Sequence, residues 1–473
     1  MSFEGRNSKL KTQKLLSEEK WSKLEQVLKP LSLTDEILEK LMHEFKEQMH
    51  LANSSDENIR KKSDLMLGGF IRRLHNGTEQ GDYLGLDLGG TKFRVVLVRF
   101  KDGVADTTTQ YYELTDETLS GPSAGVFDFI AESVQDFLLN QGLANSKEKI
   151  PAGFTFSFSS RQLAYNRIIL TSPKKFKCPD GVGGNPVAML EAAIQRKAKD
   201  LPVDVVVVLN DTVSALMAGN GLDYKWRFGL GIGTGANAAF VANISDIERW
   251  TGDYENPQQD ISHVMLGSTG DNGCMDFYTS EYEKEIDKFS NIPGSYTFEK
   301  SFSGLYLGEF VRLVLVRLIK DGTLFNGQGG KLVDGRWEFT TSHVTSVESD
   351  VGDSTTNTKN VLKKFDLDSV ATEEDIAIVR EVCEFISYRG AYIIAAVMSV
   401  LINYARQSEL TIGVDGSIHE RHPKFHNSMM EVFEKFSPQT KVKMILAKDI
   451  SGQGAAFAAV LVLRQMAKGL RCS

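Results

Sequence analysis

The sequence predicts an α/β fold built on a repeated strand–turn–strand unit, and three observations predict it. Two segments share one form. Tyr83 to Leu88, Gly89-Gly90 and Phe93 to Phe100 make the first, and Phe228 to Ile232, Gly233-Thr234-Gly235 and Ala236 to Phe240 the second. They lie ~145 residues apart, a spacing for a duplicated α/β unit and not for a short repeat array. Between them, Val203 to Leu209 is a β-branched run dense enough for a central strand buried on both faces, as in parallel sheets covered by helices.

The other elements follow from periodicity. Residues 1–75 read as helical: Ile37, Leu38, Leu41, Met42, Phe45 and Met49 fall at helical spacing, and Thr34-Asp35 caps the run. Asp82 to about Tyr112 is rich in strands, Phe127 to Leu139 is a helix, and Gly153 to Phe158 is a strand of alternating aromatics. Val187 to Lys199 is a helix leading into the β-branched run, which Val213 to Asn220 follows as another. Gly327 to Asp353 is polar and turn-rich, which predicts a surface excursion. Thr411 to Ser417 is a third strand-to-glycine turn, and Ser451-Gly452-Gln453-Gly454 opens a C-terminal helix over Ala455 to Gly469.

A chain of 473 residues holds two core-bearing domains or one bilobal unit. Its net charge of −8 leaves no electrostatic footprint for nucleic acid or an anionic membrane, so an anionic ligand needs a local site. The four scattered cysteines form no C-x-x-C pair, which fits a reducing compartment and no cysteine-rich zinc site. Met1 to Lys20 carries no apolar core, so no signal peptide is expected. Ala391 to Ala405 falls short of the ~20 residues of a span and reads as a buried core helix. A cytoplasmic protein is expected.

The glycine turns carry the chemistry. Gly231-x-Gly233-x-x-Ala236 imitates a dinucleotide fingerprint, but that motif opens a helix and this one continues as strand. Gly330-Lys331 is followed by Leu332, so no P-loop exists. What remains is two hairpins facing across a cleft, each bringing a threonine to a phosphate, Thr91 and Thr234. In the first, Gly89-Gly90 supplies φ > 0, backbone N–H groups and Arg94 face an anion, and Asp87 orients a hydrated divalent cation. An ordinary hairpin with a surface aspartate is the other reading. Asp211 ends the β-branched strand beside Asn210, where α/β sheets bind ligands, and is the candidate general base; a helix-capping role is its alternative. Lys174 is a candidate cation near a transferred phosphoryl group, or half of a solvated Lys174-Lys175 pair.

These residues resemble the hexokinase family. Leu86-Asp87-Leu88-Gly89-Gly90-Thr91 is similar to its first phosphate hairpin, Gly233-Thr234-Gly235-Ala236-Asn237-Ala238 to its second, and Leu209-Asn210-Asp211-Thr212 to its catalytic segment. Gly413-Val414-Asp415-Gly416-Ser417 and Ser451-Gly452-x-Gly454-Ala455-Ala456 resemble its adenosine region. Further matches are Gly153 to Phe158, Gly270-Asp271-Asn272-Gly273, Ser303 to Glu309 and His422 to Phe425, all in the family's order. The resemblance implies an actin-like ATPase (ribonuclease H-like) fold, with two lobes closing over sugar and nucleotide. Residues 77–209 and 451–473 would form the small lobe, 1–76 and 210–450 the large one. It implies phosphoryl transfer from ATP to a hexose 6-hydroxyl with Mg2+, catalysed by Asp211 and Lys174. Ser157, Asn210, Asn237 and Glu299 would hold the sugar. Asp87 (through water, for the metal), Gly89, Gly90, Thr91, Arg94, Gly233, Thr234, Gly235, Asp415, Gly416, Ser417, Ser451 and Gly452 would hold Mg-ATP. A monomer without the family's apolar mitochondrial anchor is expected.

Departures from the family cluster in the sugar site. Its Glu-Trp-Gly-Ala-Phe segment corresponds to Met265-Leu266-Gly267-Ser268-Thr269, so a glutamate accepting two sugar hydroxyls is replaced by Met265. Its Trp-Thr-Lys-Gly-Phe segment appears as Ser172-Pro173-Lys174-Lys175-Phe176, and Ser159 replaces a proline. Lys92 replaces an asparagine in the first hairpin, and Ile450 a glycine before Ser451. The expected outcome is a hexokinase with weakened sugar affinity; the alternative is a catalytically weak relative with a binding or regulatory role.

Overall fold

A computed structural model describes residues 12–63, 65, 67–69, 71, 77–89, 92–102, 104–158, 160–171, 178–250 and 259–467. Gly90, Thr91, Ser159 and Ser172 to Phe176, with Lys174 among them, lie outside the described residues.

The strands are β1 (Leu67–Gly69), β2 (Gly81–Leu88), β3 (Lys92–Lys101), β4 (Val104–Glu113), β5 (Ile150–Phe156), β6 (Ser160–Ala164) and β7 (Arg167–Leu170), then β8 (Val203–Leu209), β9 (Trp226–Ile232), β10 (Ala236–Asn243), β11 (Gln259–Val264), β12 (Glu409–Asp415) and β13 (Lys441–Leu446). One sheet has the order β4-β3-β2-β5-β8 and the other β1-β11-β10-β9-β12-β13; β6 and β7 pair separately. In each large sheet three consecutive antiparallel strands meet two parallel ones, so β4-β3-β2-β5-β8 is matched by β11-β10-β9-β12-β13. This is the duplicated unit that the paired hairpins predict. The strand β1 adds an edge within a segment read from sequence as wholly helical.

Val203–Leu209 is not central but the edge strand β8. Both its faces are nonetheless buried: Val203, Val205 and Val208 enter one core, Val206, Val207 and Leu209 another. Its open edge is covered because the Val208 N–H donates to the Tyr165 carbonyl (2.8 Å) and Gln162 Nε2 donates to the Val208 carbonyl (2.9 Å). The run therefore reports burial and not rank within the sheet, which residue type alone does not encode.

The helix Ser451–Ala467 starts four residues before the expected Ala455, so Ser451 and Gly452 form its first turn. Its residues share one core with Val96, Val98 and Phe100 of β3 and with Ala239, Val241 and Ile261 of β10 and β11, which seats it between the two sheets. The helix Glu373–Ala405, 33 residues long, is capped by Thr372, whose side chain accepts from Asp375 N, and ends at Arg406 in the left-handed region (φ 52°). It is apolar and long enough to cross a membrane, yet its apolar window is 94% buried inside the fold. Gly327 to Asp353 is no surface excursion: it contains the helices Gly330–Asp334 and Thr341–Glu348, and Leu332, Phe339, Val344 and Val347 are core residues. Its apolar residues are sparse, but tertiary contacts collect them on one side.

Candidate active site

The site lies at the carboxyl ends of β5, β8 and β12 and at the turn between β9 and β10. At the end of β8, Asn210 caps the helix Asp211–Leu222: its Oδ1 accepts from the Thr212 N–H (2.9 Å) and from Thr212 Oγ1 (2.6 Å). Asp211 is thus the first helical residue and not the cap, though its Oδ1 also accepts from Thr212 N (2.8 Å). It borders a cavity of about 210 Å³ that Ser157, Asn237, Glu299, Met265 and His263 also line.

Glu299, 2% exposed, sits on the 3-10 turn Phe298–Ser301, and its Oε2 accepts from the Ala236 N–H (3.0 Å). A Cβ at Gly235 would collide with that carboxylate, so the glycine is there for close approach. Asp271 steadies the segment before Glu299 by accepting from Tyr296 N (2.9 Å), Thr297 N (2.8 Å) and Thr297 Oγ1 (2.8 Å). The second hairpin turn is braced from behind: Gly304 N donates to Gly233 O (2.7 Å) and Ser303 Oγ to Thr234 O (2.9 Å). Asp415 and Gly416 close the cavity's far side. Gly416 has φ 123°, and a Cβ there would strike the Ile232 carbonyl.

The first hairpin is one layer away. Asp87 lies opposite Arg94 in the β2–β3 register, and the two form an ion pair at 3.1 Å. Ser451 Oγ donates to the same carboxylate (2.5 Å), while Arg94 also pairs with Asp449 (2.9 Å). Gly89 itself is not in the left-handed region; its N–H donates to Lys92 O (3.1 Å) and closes the hairpin, and Gly90, the other glycine expected to supply φ > 0, lies outside the described residues. Lys92 reaches sideways to Glu113 (3.2 Å) on β4 and not toward the cleft. Ile450 packs beside Ala215, Trp226 and Ala447, and its carbonyl accepts from Gly454 N (3.0 Å), so the lost glycine is absorbed in an apolar contact at the helix start.

Asp87, Asp211 and Asp415 feel one another's charge, although no group of three or more residues among the described ones is placed to ligate a metal directly. Burial and the Asp211 charge push Asp415 up to about 6. Burial also raises Asp87, against the opposing pull of Arg94 and Ser451, with Asp211 and Asp449 adding to the rise. Carboxylates that destabilise one another's charge suit a hydrated divalent cation, which needs one or two of them and keeps its waters.

Hexokinase family models match residues 23–220 and 227–461. The chain belongs to the hexokinase family. A solved hexokinase from Schistosoma mansoni in complex with glucose is 32% identical with a TM-score of 0.83, covering 94% of this chain and all of that one. Hexokinase-1 of Mus musculus is 32% identical over 93% of this chain and 45% of its own length, and hexokinase-2 of Homo sapiens 32% over 95% and 49%. The chain spans about half the length of these mammalian relatives. The fold is the actin-like ATPase fold of hexokinases, with two lobes around the cleft.

Of the residues expected in the site, the cavity gathers Ser157, Asn210, Asp211, Asn237 and Glu299 with Gly233, Thr234, Gly235, Asp415 and Gly416. Asp87, Arg94, Ser451 and Gly452 form the adjoining layer, and Ser417 begins the short helix Ser417–Arg421 behind Gly416. Sequence reasoning missed His263, Tyr296 and Gln162, which also line the cavity. None sits in a glycine motif or a strand–carboxylate junction, so no local signal marks them.

Proposed function

We propose that this hexokinase-family chain transfers the γ-phosphoryl group of ATP to the 6-hydroxyl of a hexose, with glucose as the first substrate to test. The observation that carries the reading is Asp211, fixed at the start of its helix on the wall of a cavity also lined by Ser157, Asn237 and Glu299. Asp211 accepts the hydroxyl proton as O6 attacks; the O6–P bond forms, the bond from the γ-phosphorus to the bridging oxygen breaks, and ADP leaves. Gly233 to Gly235 and Arg94 hold the phosphates, with Gly89, Gly90 and Thr91 from the first hairpin. Asp415 to Ser417, Ser451 and Gly452 hold the nucleoside, and Lys174 is assigned to the transferred phosphoryl group. Asp87 would hold magnesium through water, and the bound cation would supply charge neutralisation at the phosphates. Asn210, its Oδ1 engaged in capping, offers its amide nitrogen to the sugar. Lobe closure excludes water as a competing acceptor.

Met265 at the cavity wall supports weakened sugar affinity, because a thioether is a poor acceptor for hydroxyls. The same residue favours the second reading, a catalytically weak relative that binds sugar or regulates. A coupled assay with Mg-ATP and a hexose panel separates them. Sugar-dependent ADP formation is expected, and Asp211→Asn is expected to lower kcat by roughly 10²–10⁴-fold while the ATP KM changes little. No ADP formation at ~100 mM of any hexose overturns the enzyme reading, since ordinary KM values lie far below that concentration.

A further inference from the structure

Two positions before Met265 on the same strand side of the cleft, His263 also lines the cavity and keeps partial exposure. In β11 it stands opposite Ala239 of β10 and Gly68 of β1 in the register. Its Nε2 is closed off from solvent and has no hydrogen-bond partner among the described residues. A buried ring nitrogen without a partner is costly, and the fold tolerates this one beside the cavity where a polyhydroxylated ligand would sit. The phosphoryl-transfer scheme makes no use of it.

We propose that His263 is a sugar-binding residue that hydrogen-bonds one hexose hydroxyl on the wall where Met265 supplies no acceptor. The inference rests on the reading of this cavity as the hexose site. A neutral imidazole has one donor and one acceptor nitrogen, so it can give or take a hydrogen bond with a hydroxyl, whereas a carboxylate only accepts. Burial pushes the ring's pKa down to about 4, which keeps it neutral near pH 7. For this the ring must turn about its Cβ–Cγ bond so that a nitrogen meets the hydroxyl at the cavity edge. The wall then reads the sugar unevenly. A hydroxyl facing His263 is recognised, and a hydroxyl facing the Met265 thioether contributes little.

Glucose and its analogues lacking the hydroxyl at C1, C2, C3 or C4 test this, with the wild-type protein, His263→Ala and His263→Asn. Sugar affinity is measured by calorimetry without nucleotide, and KM and kcat by the coupled assay with Mg-ATP. His263→Ala is expected to raise the glucose KM roughly 3- to 10-fold, the loss of about one neutral hydrogen bond, with the ATP KM within about twofold. One analogue pays a penalty in the wild type that disappears in His263→Ala, and His263→Asn keeps part of the affinity. An unchanged glucose KM overturns the proposal. So does a uniform rise across glucose and every analogue, which marks a structural role. Should His263→Ala fail to fold, the same comparison between wild type and His263→Asn decides. A wild-type protein that neither binds nor phosphorylates any hexose overturns the parent reading and this one with it. A wild type that phosphorylates glucose, with His263→Ala its equal, overturns this one alone.

Discussion

Asp415 shows how burial and charge shape single residues of the cleft. Its pKa of about 6 in the folded chain exceeds the ordinary carboxylate value of 3.8, so between those values the folded state holds a proton that the unfolded state has lost. Stability from this group therefore falls as pH rises from about 4 to about 6 and stays at its reduced level above that, by less than the full shift implies because the residue is exposed and water screens its charge. Asp415→Asn removes the term. In the absence of nucleotide the variant is expected to gain stability over wild type at pH 7 and nothing at pH 4, read as the difference in urea midpoints. A gain that is equal at both pH values would show that Asp415 is not the titrating group. Met265 carries the second prediction at this scale. Placing an acceptor there with Met265→Glu is expected to lower the sugar KM by roughly tenfold to a few hundredfold, the worth of about one charge-assisted hydrogen bond at ~1.5–3 kcal/mol. An unchanged KM in the coupled assay would mean that the hydroxyls are held elsewhere. Both residues were legible as types in the sequence. Their consequences were not, because a pKa and a pocket wall depend on neighbours distant along the chain.

Elements here are held by buried polar clusters as well as by apolar packing. On the helix Glu373–Ala405, Arg389 pairs with Glu283 (2.6 Å) and donates to the carbonyls of Leu31 (3.1 Å) and Tyr278 (2.9 Å). One guanidinium thus ties the N-terminal helical region and the Glu281–Phe289 helix to the long central helix. Arg389→Met leaves the Glu283 carboxylate buried with no counter-charge, and a loss of ~3–5 kcal/mol is expected in chemical denaturation. Adding Glu283→Leu to that variant should recover part of the loss; no recovery would show that the carbonyl contacts, not the ion pair, hold the junction. Periodicity predicted the helix Asp35–Asn53 to within a few residues and placed its Thr34 cap, which accepts from Ile37 N (3.3 Å). It did not show that Gly327 to Asp353 folds into helices, since a short segment with few apolar residues has no clear period until its core partners are known.

At the scale of the whole molecule, the two sheets meet across the helix Ser451–Ala467, whose Ala455, Ala456, Ala458 and Ala459 are fully buried. Small side chains let the helix lie close to both sheets, and we propose it as the axis of lobe closure. A monomer of this length has an expected radius of gyration of about 23 Å. X-ray scattering should give that value for the free protein and a smaller one at saturating glucose. A larger radius that scales with concentration would replace the monomer by an oligomer, and no change with glucose would remove closure from the mechanism. Overpacking the axis with Ala456→Leu is expected to cost ~1–3 kcal/mol of stability and to blunt the glucose-induced change, because a well-packed interior has no room for added methylenes.

The sequence by itself determined the duplicated α/β plan, the two glycine hairpins and the Asn210-Asp211 junction. These are local: glycine and carboxylate at a strand end, and β-branched density, act over a few residues. Only the tertiary structure decided that Val203–Leu209 is an edge strand, that Arg94 is held between Asp87 and Asp449, that Gly235 makes room for Glu299, and that His263 faces the cavity beside Met265. Each depends on groups brought together from far along the chain, where burial and charge, not residue type, set what a side chain can do.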